Sequence, residues 1–133
     1  MNYCADTWFL LKLFDREIKA QELFRRLETK KDRIIVSYVT YGETFKKLFQ
    51  RGCKESDIES FFILIENTNK VQLIPFDKEI ARESAKVSLT FHVPLIDACV
   101  AATAKIMACE ILLSGDSDFD ILAKRKYLKV QSW

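Results

Sequence analysis

Short apolar runs alternate with helical stretches along this chain of 133 residues, and that alternation constrains the fold more than any other feature. The runs are residues 1–5, Ile34-Ile35-Val36, Val71-Gln72-Leu73-Ile74, 110–113 and Leu128-Lys129-Val130. Their β-branched and aliphatic content and their shortness mark them as strands. Strands separated by helices pair through crossovers, which implies a parallel sheet with helices packed on its faces. The expectation is an α/β protein of three layers: a central, mostly parallel sheet of four or five strands with helices on both faces.

The intervening stretches read as helices. Thr7 onward has helical spacing, with Leu10, Leu13, Phe14 and Ile18 marking a face. A second helix covers roughly residues 17–28, followed by a polar break at 30–33. Ser37 is a plausible cap for a helix over 39–49 with Phe45, Leu48 and Phe49 on its apolar side. Ser56 with Glu59 fits a capping box for the next helix. Asp77 starts a helix with Ile80, Ala81, Ala85 and Leu89 spaced for a buried stripe. Residues 96–108 form an alanine-rich helix able to lie close to its neighbours, and a short helix covers 119–124. No repeat or boundary divides the chain, so one domain over residues 1–133 is expected.

Composition narrows the class. Hydrophobic residues make up 49% and charged residues 30%, with only three glycines and two prolines, which leaves little material for linkers or disorder. No apolar run approaches the roughly 20 residues of a membrane span. The start, Met1 to Trp8, lacks a basic flank and meets Asp6, so no secretory signal is expected and the chain reads as cytoplasmic. The four cysteines have no Cys-x-x-Cys spacing, which speaks against a zinc cage, and Cys4, Cys99 and Cys109 read as small buried hydrophobes. His92, the one histidine, reads as a loop residue. Net charge is +2; if five acids gather in one site, the remaining surface is distinctly basic.

The carboxylates carry the chemistry. Ligands of parallel α/β sheets bind beyond the carboxyl ends of the strands, and Asp6 and Asp116 stand at two such ends. Asp97 falls in the first turn of the alanine-rich helix, and Glu43 within the helix after Ser37. Each alone has an ordinary explanation: Asp6 as a helix cap, Asp97 as a complement to a helix dipole, Glu43 as a surface acid, Asp116 and Asp118 as turn formers. Together they read differently. Asp97 lies within Val93-Pro94-Leu95-Ile96-Asp97-Ala98-Cys99, and Asp6 between Cys4-Ala5 and Trp8-Phe9, with no lysine or arginine in either segment. Carboxylates in such surroundings need protonation or compensation, and a hard divalent cation with oxygen ligands supplies it.

Four segments then resemble the PIN-domain family, and especially the VapC-type toxins of prokaryotic toxin–antitoxin pairs. They are Cys4-Ala5-Asp6-Thr7, Ser37-Tyr38-Val39-Thr40-Tyr41-Gly42-Glu43, Pro94-Leu95-Ile96-Asp97-Ala98-Cys99-Val100-Ala101-Ala102-Thr103-Ala104, and Leu112-Leu113-Ser114-Gly115-Asp116-Ser117-Asp118-Phe119. One departure is visible: the family usually has threonine where Ser114 stands. The resemblance implies a metal-dependent endoribonuclease in which Asp6, Glu43, Asp97 and Asp116 bind Mg²⁺ or Mn²⁺. Asp118 is then a fifth ligand or an outer partner, and Thr7 and Ser114 orient the ligating carboxylates. It also implies an RNA substrate, a cognate antitoxin protein and a homodimer.

Basic candidates for holding RNA are Lys46, Lys47, Arg51 and Lys54, and Lys124, Arg125, Lys126 and Lys129; ordinary solvated helix faces would look the same. Trp8 and Tyr41 are near the acids in sequence and could stack on bases or belong to the core. Two other classes stay open. Ten Phe and two Trp in a small chain also fit a non-catalytic PIN-fold protein-binding module. A phosphatase-like enzyme is a third reading, although its Asp-x-Asp belongs after the first strand, where only Asp6 stands. No phosphate-binding Gly-x-x-x-x-Gly-Lys-Ser/Thr loop is present.

Overall fold

The computed structural model describes residues 1–29 and 31–133. Lys30, part of the expected polar break, lies outside the described residues. In chain order the elements are β1 (Asn2–Ala5), α1 (Thr7–Phe14), α2 (Ile18–Thr29), β2 (Arg33–Ser37), α3 (Tyr38–Gln50), α4 (Glu55–Glu66) and β3 (Val71–Ile74). There follow α5 (Lys78–Phe91), α6 (Leu95–Ile106), β4 (Ile111–Leu113), a 3-10 turn (Ser117–Phe119), α7 (Asp120–Lys124) and β5 (Lys129–Gln131). The five strands pair in the order β3-β2-β1-β4-β5, and every pairing is parallel. Among the described residues no single helix is long and apolar enough to cross a membrane.

Strand alternation sorts the core into two halves. Ala5, Ile34, Val36 and Leu113 face α1 to α4 and pack with Phe9, Leu10, Leu48 and Phe62. Their neighbours Cys4, Ile35 and Leu112 face the other way, onto α5, α6 and α7, where Ala98, Ala101, Ala102 and Ala104 bring α6 close to the sheet. Cys4, Cys99 and Cys109 are buried as expected.

Helix ends follow local chemistry in most places. Ser37 accepts the Val39 amide at 3.1 Å, and Asp77 accepts the Ile80 amide at 2.9 Å. The exposed His92 takes a left-handed conformation that ends α5. The Ser56–Glu59 capping box does not form: the cap position falls two residues earlier, at Lys54, without a side-chain bond, and Glu55 and Asp57 lie in the first turn to complement the dipole.

Three apolar faces also differ from expectation. Ile18 opens α2 and is exposed, because α1 stops at Phe14 and the chain turns through Asp15 and Arg16. Phe49 lies on the solvent side of α3. In α5 the buried positions are Ile80, Ser84 and Val87, while Ala85 and Leu89 point outward. Burial of Ser84 is tolerated because its hydroxyl donates to the Ile80 carbonyl at 2.6 Å.

Candidate metal centre

The strand order reverses at β1. The chain adds β2 and β3 on one side of it, then crosses to add β4 and β5 on the other. Connections leaving the carboxyl ends of β1 and β4 therefore go to opposite faces, and a crevice opens where they diverge. Asp6 leaves β1 into α1, and Asp116 leaves β4 into the 3-10 turn. The two ends are tied by the Asp6 amide, which donates to the Leu113 carbonyl at 3.2 Å.

Asp6 is 4% exposed, and its carboxylate does not cap α1. It instead accepts the Ser114 hydroxyl at 2.8 Å, and Ser114 Oγ in turn accepts the Asp116 amide at 3.1 Å. One hydroxyl thus couples both acids. Asp116 caps the following turn by accepting the Asp118 amide at 2.9 Å, which folds Asp118 back toward Asp116. Asp97 reaches the same place from the first turn of α6, and one oxygen each of Asp97, Asp116 and Asp118 lies within 4.8 Å of the others. Asp6, Glu43 and Asp116 line a single cleft of about 420 Å³ between α1 and α3. All five acids are therefore at the carboxyl end of the sheet.

The electrostatics are unfavourable for so many negative charges. Burial raises the Asp6 carboxyl, opposed by the Ser114 hydroxyl and the Thr7 amide, and the charges of Glu43 and Asp116 raise it further. Asp97 is pushed up to about 7, first by burial, then by a hydrogen bond with Asp118 and by the charges of Asp116, Asp6 and Asp118. Among the described residues no lysine or arginine forms an ion pair with any of these acids. The surroundings of Asp97 are less apolar than its sequence neighbours suggest. Leu95 and Ile96 turn to solvent, 58% and 50% exposed, and Asp97 itself is half-buried.

Thr7 differs from expectation. Its hydroxyl is buried and makes no hydrogen bond to a carboxylate or to any other described group. Thr40 Oγ1 is likewise buried without a partner, so the Thr7 hydroxyl alone does not mark a ligand position. The donor set itself, carboxylate oxygens from five acids, fits a hard divalent cation such as Mg²⁺ or Mn²⁺.

Several features of the site had weak local signals. Asp118 is as much part of the acid cluster as Asp97, because the 3-10 turn returns its carboxylate; the Asp-x-Asp spacing was the available hint. Trp8 packs over Gly115, where a Cβ would run into the indole, so the glycine before Asp116 is required by contact. Tyr41 belongs to an aromatic stack with Phe45 and Phe62. Lys47 and Arg51 line the acid cleft, whereas Lys126 and Lys129 border a different cavity beside β5, with Lys105 and Tyr127.

Comparison with known proteins agrees with this architecture. No curated protein sequence matches the chain. Among solved structures, VapBC2 from Rickettsia felis, bound to a DNA fragment from its promoter, superposes with a TM-score of 0.77 at 13% identity, covering 100% of this chain and 99% of that one. VapBC-1 from nontypeable Haemophilus influenzae gives 0.72 at 22% identity, covering 100% and 98%. VapC20 of Mycobacterium tuberculosis, described as a sarcin-ricin loop cleaving toxin, gives 0.68 at 18%, covering 89% and 92%. These likenesses concern the fold. The sequence itself matches the PIN domain family over residues 3–125, and the chain belongs to that family.

Proposed function

We propose that the chain is a divalent-metal-dependent endoribonuclease, acting in the cytoplasm as the toxin of a toxin–antitoxin pair. The observation that carries this reading is the convergence of Asp97, Asp116 and Asp118, with Asp6 and Glu43 beside them, and no basic partner among the described residues. In it, Asp6, Glu43, Asp97 and Asp116 hold Mg²⁺ or Mn²⁺, and Asp118 adds a fifth carboxylate. When bound, such an ion would offset the charge of the phosphodiester and lower the pKa of a water, so that hydroxide is available as nucleophile at neutral pH. The protein's own contribution is placement. Ser114 holds the Asp6 carboxylate by its hydroxyl proton and the Asp116 backbone by its lone pair. The buried Thr7 hydroxyl adds a polar group to the centre. Burial, a hydrogen bond with Asp118 and the neighbouring acids push the Asp97 carboxyl up to about 7, and a bound cation would favour its ionised form.

Two protein partners fit the remaining surface. The solved neighbours include toxin–antitoxin assemblies. An apolar groove of about 640 Å³, lined by Leu13, Phe14, Phe24, Phe61 and Leu64, offers an antitoxin a docking surface with Arg16 and Arg25 at its border. Leu89, 79% exposed, together with Leu95 and Ile96 flanks the turn between α5 and α6, which suits a homodimer contact. The test of the enzymatic reading is cleavage of an oligoribonucleotide. We expect products with Mg²⁺ or Mn²⁺, none in excess EDTA, and none from Asp6→Asn or Asp97→Asn with the circular dichroism spectrum unchanged. Equal cleavage in EDTA would discard the metal mechanism.

A further inference from the structure

The acid cleft has a direction. α1 and α3 both begin at the carboxyl end of the sheet, at Asp6 and near Glu43, and their far ends are tied by Arg51, whose Nη1 donates to both Asp15 carboxylate oxygens at 2.9 and 3.1 Å. Glu43, Lys47 and Arg51 all line the cleft and follow one another at four-residue spacing along α3 and its cap. That spacing keeps them on one helix face, about 6 Å apart per step. The facing wall on the α1 side is mixed: Trp8 and Leu11 are apolar, and Lys12, Asp15 and Glu17 are charged.

The three cations of the cleft are not equivalent. Lys12 is held by Glu17 at 2.9 Å, with its ammonium 4.9 Å from the Trp8 ring, and Arg51 is held by Asp15. Lys47 has no ion-pair partner among the described residues, yet it stands one helical turn from Glu43. A cation without an ion-pair partner next to an acidic centre, in a cleft that also holds Arg51 and the Trp8 ring, matches a polyanion that carries planar bases. The cleft is of small-ligand size, so it takes one strand, whereas duplex RNA is read across a wide, shallow groove.

We propose that Lys47 and Arg51 form a phosphate track along the α1–α3 cleft, which leads a single RNA strand away from the acid centre. Lys47 neutralises the phosphate beside that centre. Arg51 takes the next one by exchanging Asp15 for it, so the Asp15–Arg51 pair restrains the far end of the track. The track rests on the nuclease reading only in that the acids are where the strand is cut.

Binding, separated from cutting, tests it. The Kd of a fluorescent single-stranded oligoribonucleotide is measured by anisotropy in EDTA, across a salt series, on the full chain. Lys47→Gln is expected to weaken binding about fivefold at 0.1 M salt and to lower the slope of log K against log salt by about 0.7, the value for one phosphate contact on a single strand. Lys47→Arg is expected to retain both. Asp15→Asn frees Arg51 and is expected to tighten binding and steepen the slope. Lys129→Gln, on the separate cavity beside β5, is expected to change neither. Unchanged affinity and slope in Lys47→Gln, or an equal loss in Lys129→Gln, would overturn the track. Binding that follows this pattern without any cleavage in Mg²⁺ would count against the nuclease reading alone.

Discussion

The two faces of the sheet are built from different materials. On one, α1 to α4 pack through rings: Phe9 and Phe62 are fully buried, Phe45 stacks on Phe62 at 5.7 Å, and Tyr41 lies 4.5 Å from the same ring. On the other, α6 meets the sheet through Ala98, Ala101, Ala102 and Ala104, all fully buried. This half also carries the groove lined by Phe14, Phe24 and Phe61 and the cleft between α1 and α3 lined by Trp8 and Leu11. Small side chains let a helix backbone settle against the strands with little freedom to shift. The half that needs one acid fixed beside two others, Asp97 beside Asp116 and Asp118, is the half packed with alanine.

That contrast can be broken from either side. The largest effect on stability is expected from Phe62→Ala, which empties a ring site and should cost about 3–5 kcal/mol by denaturant titration. Mn²⁺ affinity should fall only modestly: Glu43 is on α3, which Phe62 supports through Tyr41 and Phe45, but Asp97, Asp116 and Asp118 are built on α6 and the turn after β4. Ala101→Leu is expected to cost less, about 1–3 kcal/mol, through overpacking. It should nevertheless weaken Mn²⁺ binding more than Phe62→Ala does, because α6 must lift and take Asp97 with it. If the ranking of Mn²⁺ affinities came out reversed, the alanine face would be ordinary packing.

A smaller and graded effect is expected with pH. The folded value of Asp97, about 7, lies above its ordinary 3.8, so its protonated form favours the folded state. In EDTA, stability should therefore fall as pH rises from about 4 to 7 and level off beyond. The half-buried position of Asp97 limits the size of that fall. Asp97→Asn should flatten this part of the profile, and thermal melts across the range decide it.

Strands and the caps at Ser37 and Asp77 were legible because each depends on chemistry within a few residues. The buried face of α5 was not. Apolar spacing pointed to Ala85 and Leu89, but Ser84 lies inside because its hydroxyl is satisfied by its own helix, a bond that no hydropathy pattern registers. The failed Ser56 cap shows the same limit, since a capping box two residues out of register reads identically in sequence. Within the site, Asp6 and Asp116 could be found from strand ends. Glu43 was the weakest of the four acids on its own, placed only by its helix after Ser37, and the family resemblance gave it its role, because a glutamate on a helix carries little local mark. The demand of Trp8 for a glycine at 115 and the freedom of Lys47 are tertiary facts, fixed by how α1 sits between β4 and α3.

The central claim is that these acids converge to hold a hard cation, and calorimetric titration of the full chain with Mn²⁺ tests it most directly. Saturable binding is expected, weakened at least about tenfold by Asp97→Asn and by Asp116→Asn and unchanged by Asp57→Asn, on α4 outside the acid centre. Absence of binding in the original chain, or equal affinity in all four proteins, would contradict it.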